Sequence, residues 1–379
     1  MRKQLSLVAG IAAVLMLVPA CSSTTATPAA SSGGSAAVKA SSATSLSDVG
    51  GMDALVKAAK AEGTINVVAL PDDWANYGAI KKAFATKYGI TVNSILPDAS
   101  SKEEIDAADK NKGTDKAPDV FDVGANVALS STDRFAPYKV AAWDKIAAGN
   151  KESTGLWVND YTGVMTVGYN ATKFGEITSL DQLTDAKFKG QVAFNGKPAE
   201  AGAAFNGFLM VNGTYGGTFE NLQPGIDYVK KLKAAGTLNL QDVTSGTIDS
   251  GTHGVVFDWT YNQASTITRL KAKGVDWKVF VPKGGEIASY YNQAVNKDAP
   301  HPAAARLWEE YLYSTDAQNM WLSGAARPIL FDAMKADGSL DATAAANLPT
   351  VSGTPATPTS AQATAATAFL KANWAAAVA

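Results

Sequence analysis

Acidic and aromatic side chains recur together at the ends of the β-forming runs of this chain. Pro71-Asp72-Asp73-Trp74-Ala75-Asn76-Tyr77 follows one run and Asp122-Val123-Gly124-Ala125-Asn126 closes another. Trp157-Val158-Asn159-Asp160-Tyr161 precedes a third, Asp258-Trp259-Thr260-Tyr261-Asn262 ends a fourth, and Ser289-Tyr290-Tyr291-Asn292-Gln293 opens the last. Carboxylates take N–H donors and ring faces attract ammonium groups, so walls built from these residues suit a small cationic amine. The candidate ligand contacts are Asp73, Trp74, Asn76, Asp122, Asn126, Asp160, Tyr161, Asp258, Trp259, Tyr261 and Tyr291. Each acid has a competing structural role: Asp72 as a turn or cap residue, Asp122 as an acceptor for backbone amides.

These residues need elements to present them. β-branched and apolar runs alternate with amphipathic stretches, which predicts an α/β fold with open sheets of parallel strands, and in such sheets ligands sit beyond the carboxyl ends of the strands. Strands are expected at 65–70, 92–96, 120–123, 164–169, 191–194, 255–259, 277–281 and 290–296. Tyr77, Ile80, Phe84 and Tyr88 share one helical face over 76–88. Pro198 is placed to open a helix running toward Met210, Pro302 to open another through Leu312, and 222–232 makes a third. A low-complexity stretch, 351–367, leads to a last amphipathic helix ending near Trp374. In strand alternation Trp277 reads as core.

The N-terminus points to a lipid anchor as the purpose of the single cysteine, against the alternative of ordinary secretion with a spare thiol. Arg2 and Lys3 precede an apolar run, Leu5 to Val18, that is too short to span a bilayer comfortably and reads as an export signal, residues 1–20. Val18-Pro19-Ala20-Cys21 resembles a bacterial lipobox, which makes Cys21 the lipid attachment point. Residues 22–45 are almost wholly Ser, Thr, Ala, Gly and Pro, a flexible tether that cannot bury enough apolar surface to order itself. The globular body then starts at 46.

Composition narrows the function classes. With 46% hydrophobic and 18% charged residues the body can bury a substantial core, and its length fits two lobes. Removing Arg2 and Lys3 from the 33 basic residues leaves 31 against 35 acidic, a balance with nothing to attract nucleic acid. One cysteine excludes an internal disulfide, and His253 and His301 are too far apart in sequence to suggest a metal motif. No cofactor is expected, and no G-x-S-x-G, Walker-type, H-E-x-x-H or C-x-x-C element supports an enzyme.

From about Gly63 to Ala326 the chain resembles the extracellular solute-binding proteins of bacterial ABC importers, in the branch with polyamine-binding and ferric-iron-binding proteins. The resemblance is carried by Gly63-Thr64-Ile65-Asn66-Val67, Pro118-Asp119-Val120-Phe121-Asp122-Val123-Gly124, Val167-Gly168-Tyr169-Asn170, Leu180-Asp181-Gln182-Leu183 with Phe188-Lys189-Gly190, and Asp298-Ala299-Pro300-His301-Pro302. It implies a type II periplasmic-binding-protein-like fold of two α/β lobes joined by crossing strands, with 46–165 and 286–379 in one lobe and 166–285 in the other. It also implies a hinged cleft, docking on a membrane permease, a body that stays monomeric, and Asp73, Trp74 and Asn76 facing Asp258, Trp259 and Tyr261 across the cleft. A diamine contacting acids on both lobes would stabilise closure.

Other readings compete. Tyr290-Tyr291 resembles the tyrosines with which iron-binding relatives hold ferric ion, but adjacent strand residues face opposite ways, so at most one lines the cleft. Asn195-Gly196-Lys197-Pro198 before a helix offers N–H groups and a cation to a zwitterion such as an aminophosphonate, and Arg327 reaches a carboxylate or pairs at the surface. A carboxylate-pair glycosidase and a non-catalytic adhesin are the remaining classes.

Overall fold

A computed structural model describes residues 40–348 and 354–379, which fall in one compact unit. The signal segment 1–20 and Cys21 lie outside the described residues. The strands that carry the fold are β1 (Thr64–Val68), β2 (Thr91–Ile95), β3 (Val120–Gly124), β4 (Val158–Asn170), β5 (Val192–Phe194), β6 (Val255–Trp259), β7 (Trp277–Phe280) and β8 (Ala288–Asn296). The main helices are α1 (Met52–Glu62), α2 (Tyr77–Tyr88), α3 (Ser101–Asn111), α4 (Gly202–Thr214), α5 (Gln223–Ala234), α6 (Thr260–Lys271), α7 (Pro302–Leu312), α8 (Thr315–Ser323) and α9 (Ser360–Val378).

The expectation of parallel sheets holds only at two places, β1 beside β2 and β5 beside β6. The central sheet runs β3-β8-β4-β6-β5, and its pairings through β4 and β8 are antiparallel. The cause is β4 itself. It is thirteen residues long, not the six expected from 164–169, and it changes partner midway: Val158–Val164 pairs with β8, then Met165–Tyr169 with β6 and Val167–Asn170 with β7. A single strand therefore belongs to two lobes, one around β1–β3 and β8, the other around β5–β7. Buried on both faces, it shows no polar alternation that would mark where it starts.

Three other boundaries shift. The helix expected from Pro198 begins at Gly202, because Ala201 is extended (φ −125°, ψ 133°) and the preceding residues close a turn, Glu200 and Ala201 N–H both reaching the Lys197 carbonyl. The low-complexity stretch to 367 enters α9 at Ser360, capped by Thr359 and Gln362, and α9 packs on α5 with Trp374 edge-on to Phe194 at 5.7 Å. The tether also ends earlier than 45. Ala40 and Ala43 are buried, and the buried Arg306 of α7 donates to the carbonyls of Ser41 (3.1 Å), Ala43 (2.9 Å) and Pro302 (3.1 Å). Composition reads this segment as tether because the anchor is supplied from residue 306. No helix among the described residues is long and apolar enough to cross a membrane.

Arg306→Ala is expected to lower unfolding free energy by about 2 kcal/mol or more, since three carbonyls lose a charged donor. Chemical denaturation measures it; an unchanged midpoint would mean that residues 41–43 dock without the guanidinium.

Candidate functional site

A cavity of about 340 Å³ lies where the two lobes meet. The first lobe contributes the loop after β1 with Asp73 and Trp74, the start of α3 with Glu103 and Glu104, and Asp122 of β3. The second contributes the turn 195–203, the segment 240–248, Asp258 at the end of β6, and one face of α6 bearing Asn262, Ser265, Thr266 and Arg269. Tyr291 of β8 completes the wall. Eight carboxylate residues line it against two cations, Lys197 and Arg269.

Asp258 is 5% exposed and well furnished with donors: the Trp259 N–H (2.7 Å) and Asn262 Nδ2 (3.0 Å) reach Oδ1, and Asn195 Nδ2 (2.9 Å) reaches Oδ2. Burial nevertheless pushes its carboxyl up to about 6, because the loss of hydration outweighs these donors. Asp122, also 5% exposed, accepts from the Tyr161 hydroxyl (3.1 Å) at Oδ2, and that hydroxyl accepts from Trp74 Nε1 (2.8 Å). No donor meets hydrogen-bond geometry at Asp122 Oδ1 or Asn262 Oδ1, although the Tyr77 hydroxyl and the Asp160 carboxyl stand close enough to the Asp122 carboxylate to favour its charged form. Burial pushes Asp122 up to about 6 as well. Behind it, Asp160 is raised well above the carboxylate range, first by burial and then by the charge of Asp122, so Asp160 holds the proton of the two. Glu104 is raised well above its usual value by burial and by Asp122.

The expected site residues divide. Asp73, Trp74, Asp122, Asp258 and Tyr291 line the cavity. Asn76 does not: it takes a left-handed conformation before α2 and donates to the Met320 carbonyl at 2.8 Å. Asn126 is buried in a single helical turn, 125–128, and does not line the cavity. Asp160 is fully buried beneath the cavity, accepting from the Tyr161 N–H (2.5 Å) and Gln293 Nε2 (2.9 Å). Tyr161, Trp259 and Tyr261 are at most 1% exposed and pack as an aromatic floor, with Tyr261 edge-on to Trp74 at 5.8 Å and to Tyr161 at 5.4 Å. Of the adjacent tyrosines only Tyr291 lines the cavity. Asp72 is a turn residue paired with Lys81 at 2.9 Å, and Arg327 pairs with Asp332 at the same distance, outside the cavity wall.

The expected set omits Glu104, Asn195, Asn262, Ser245 and Arg269. Three of these omissions had a signal. Asn262, Thr266 and Arg269 recur at helical spacing after Asp258, which puts them on one face of α6 aimed at the same place. Glu104 shares the buried face of α3 with Ser101, Ile105 and Ala108.

Residues 115–351 match the family of bacterial extracellular solute-binding proteins. The chain belongs to that family. A search of the curated proteins finds no match. Among solved structures the fold is similar to that of iron-bound HitA from Pseudomonas aeruginosa (18% identity, TM-score 0.57, 83% of this chain and 99% of that one). It is also similar to AfuA from Actinobacillus pleuropneumoniae with fructose-6-phosphate bound (17%, TM-score 0.62, 83% and 98%) and to a periplasmic thiamin binding protein (18%, TM-score 0.63, 83% and 96%). The chain is therefore an extracytoplasmic solute-binding component of an ABC importer, with the two-lobed mixed α/β fold of periplasmic binding proteins. Its family binds small molecules and works with membrane permeases without catalysis.

In this solute-binding protein the lobes touch at several points around the cavity. The Lys102 N–H bonds to the Glu200 carbonyl at 3.0 Å. Gly124 abuts Gly202 so closely that a Cβ on Gly124 would stand 2.6 Å from the Gly202 Cα. Gly124→Ala is accordingly expected to act as a wedge, lowering stability by about 1–3 kcal/mol in thermal or chemical unfolding. A wild-type midpoint would show that the seam has slack.

The two raised carboxyls predict a pH dependence. An acid held near 6 in the folded state and near 3.8 in the unfolded state stabilises the fold below the lower value, and that contribution is lost as pH rises through the higher one. By pH 7 the cost is on the order of 3 kcal/mol for each group. The stability of Asp258→Asn relative to the parent protein should therefore be higher at pH 7 than at pH 4.5; denaturation at both values checks it, and an equal difference at the two would refute the raised carboxyl.

Proposed function

We propose that the cargo is a small organic cation with at least two N–H donors, a polyamine such as putrescine or spermidine, held between the lobes and delivered to the permease by a lipid-anchored, monomeric protein. One observation carries the reading: Asp122 Oδ1 on the first lobe and Asn262 Oδ1, beside the Asp258 carboxylate on the second, are buried acceptors with no donor in hydrogen-bond geometry. Buried acceptors left unpaired are costly, so a cargo that brings donors to both lobes is bound by relief of that cost. Trp74 and Tyr291 supply ring faces for an ammonium group or its methylene chain. In this reading residues 166–285 form one lobe and the segments on either side the other, with the tether running back to lipid on Cys21.

A ferric cargo has less support, since only one tyrosine of the pair lines the cavity and no cluster of three or more His, Cys, Asp or Glu residues poised for a metal occurs among the described residues. A zwitterion has one favourable observation. The N-terminus of α4 has no side-chain cap and lies in the wall beside Lys197, where free N–H groups suit a phosphonate or carboxylate.

Calorimetric titration separates these cargoes. Putrescine or spermidine should release heat and raise the melting temperature, by about 2.7 kcal/mol of stabilisation at a hundredfold excess over Kd. Asp122→Asn and Asp258→Asn should each weaken binding by about tenfold or more, as expected for loss of a charge-assisted bond. Heat with 2-aminoethylphosphonate and none with diamines would favour the zwitterion; no response to either would exclude both.

A further inference from the structure

Asp73 lines the cavity, yet its carboxylate is already taken, and by the opposite lobe. Arg269 Nη1 of α6 donates to Asp73 Oδ2 at 3.1 Å, and the Ser245 hydroxyl donates to the same oxygen. Arg269 is in turn set by its own lobe: Nε donates to Asp249 Oδ1 at 2.8 Å and Nη2 to Thr266 Oγ1 at 3.4 Å, while Lys273 holds the other Asp249 oxygen at 2.8 Å. The guanidinium is thereby oriented from behind and presents one edge across the cleft. On the Asp73 side, the loop is fixed by the Trp74 N–H to the Pro71 carbonyl and the Gly78 N–H to the Asp72 carbonyl.

We propose that Asp73, Arg269 and Ser245 form a latch that holds the two lobes together, which makes Asp73 a positioning residue rather than a contact for the cargo. The inference goes beyond the amine reading and does not depend on which solute is carried. Both partners are preordered, so bridging them freezes fewer rotamers than an ordinary surface pair, and because the lobes are joined by β4 and β8 the contact forms within one molecule. Neither side chain is deeply buried, at 22% and 39% exposed, so water competes with the bond. A contact of that strength biases the cleft toward closure without locking it, as a protein that must release its cargo requires. Arg269 also removes one negative charge from the wall: without it Asp73 would face Asp258, whose carboxyl already feels the Asp73 charge.

The Lys102 amide gives a readout that needs no cargo. It sits in the first turn of α3, where no intrahelical acceptor exists, so its protection depends on the bond to the Glu200 carbonyl across the cleft. Residue-resolved hydrogen exchange on the full chain without solute should show Asp73→Asn and Arg269→Gln each speeding exchange at Lys102 about fivefold. The double variant should be no faster than the faster single one, and Asp73→Glu should restore slow exchange. Exchange at Val67 and Phe257, inside the strands of each lobe, should stay unchanged. If Arg269→Gln loosens Phe257, Asp73→Asn, which leaves Arg269 on Asp249, carries the test. Exchange at Lys102 within twofold of the parent in the single variants, or additive effects in the double one, would overturn the latch. Failure to bind any amine would leave this result standing, so the two ideas fail separately.

Discussion

Taking a carboxylate out of water is costly unless donors replace its hydration, and Asp122 and Asp258 are both placed under that constraint, one on each lobe. The two are treated differently. Asp258 is met by a backbone N–H and two amide side chains, while Asp122 takes the Tyr161 hydroxyl at 3.1 Å with Tyr77 and Asp160 close behind it, and its Oδ1 has no donor in hydrogen-bond geometry. The aromatic floor of Tyr161, Trp259 and Tyr261 shields both acids from below, and Asp160 keeps its proton beneath them, so negative charge faces the cavity and not the core. Asp160, Tyr161, Trp259 and Tyr261, which read as cavity contacts in the sequence, thus lie beneath the acids that line the cavity.

That arrangement depends on β4. Its first half carries Asp160 and Tyr161 under the first lobe, while its second half pairs with β6, whose last residues are Asp258 and Trp259. Because one strand registers both lobes, the position of Asp258 relative to Asp122 is set by backbone pairing near the crossing point. The buried backbone approach of Gly124 to Gly202 and the part-exposed pair of Asp73 with Arg269 then determine how closely the lobes approach. The Asp73–Arg269 pair is part-exposed whereas the crossing is a buried ladder, so motion is cheaper at the mouth than at the hinge.

Strand positions were legible because most strands are short apolar runs bounded by turn residues: 255–259 is read to the residue, and 120–124 to within one. The family was legible because its signature segments keep their order. Strand direction was not, since the length of β4 is hidden by burial on both faces, and nothing local says which strand pairs with which. The site was half legible. An acid at a strand end is as good a signal for Asp122 and Asp258 as for Asp160, and only the fold shows that Asp160 points under the floor. Asn76 followed the same logic and was wrong because Met320, far along the chain, claims its amide. Arg269 could be placed on the cavity face of α6 by its spacing from Asp258, but its pairing with Asp73 in another lobe is a relation that spacing cannot carry.

Charge alone does not give such a cavity selectivity. A wall whose charged residues are mainly acidic raises the local concentration of any cation, including inorganic ones, and speeds encounter without discriminating. Discrimination has to come from directional bonds. Asp122 Oδ1 and Asn262 Oδ1 sit on different lobes and each lacks a hydrogen. A compact monovalent ion satisfies one locality at a time and leaves the other acceptor buried and unpaired, whereas an amine with two separated N–H groups satisfies both only when the lobes are together. On this reading closure and recognition are the same event, and the spacing between donors, more than the amount of positive charge, is what the protein measures.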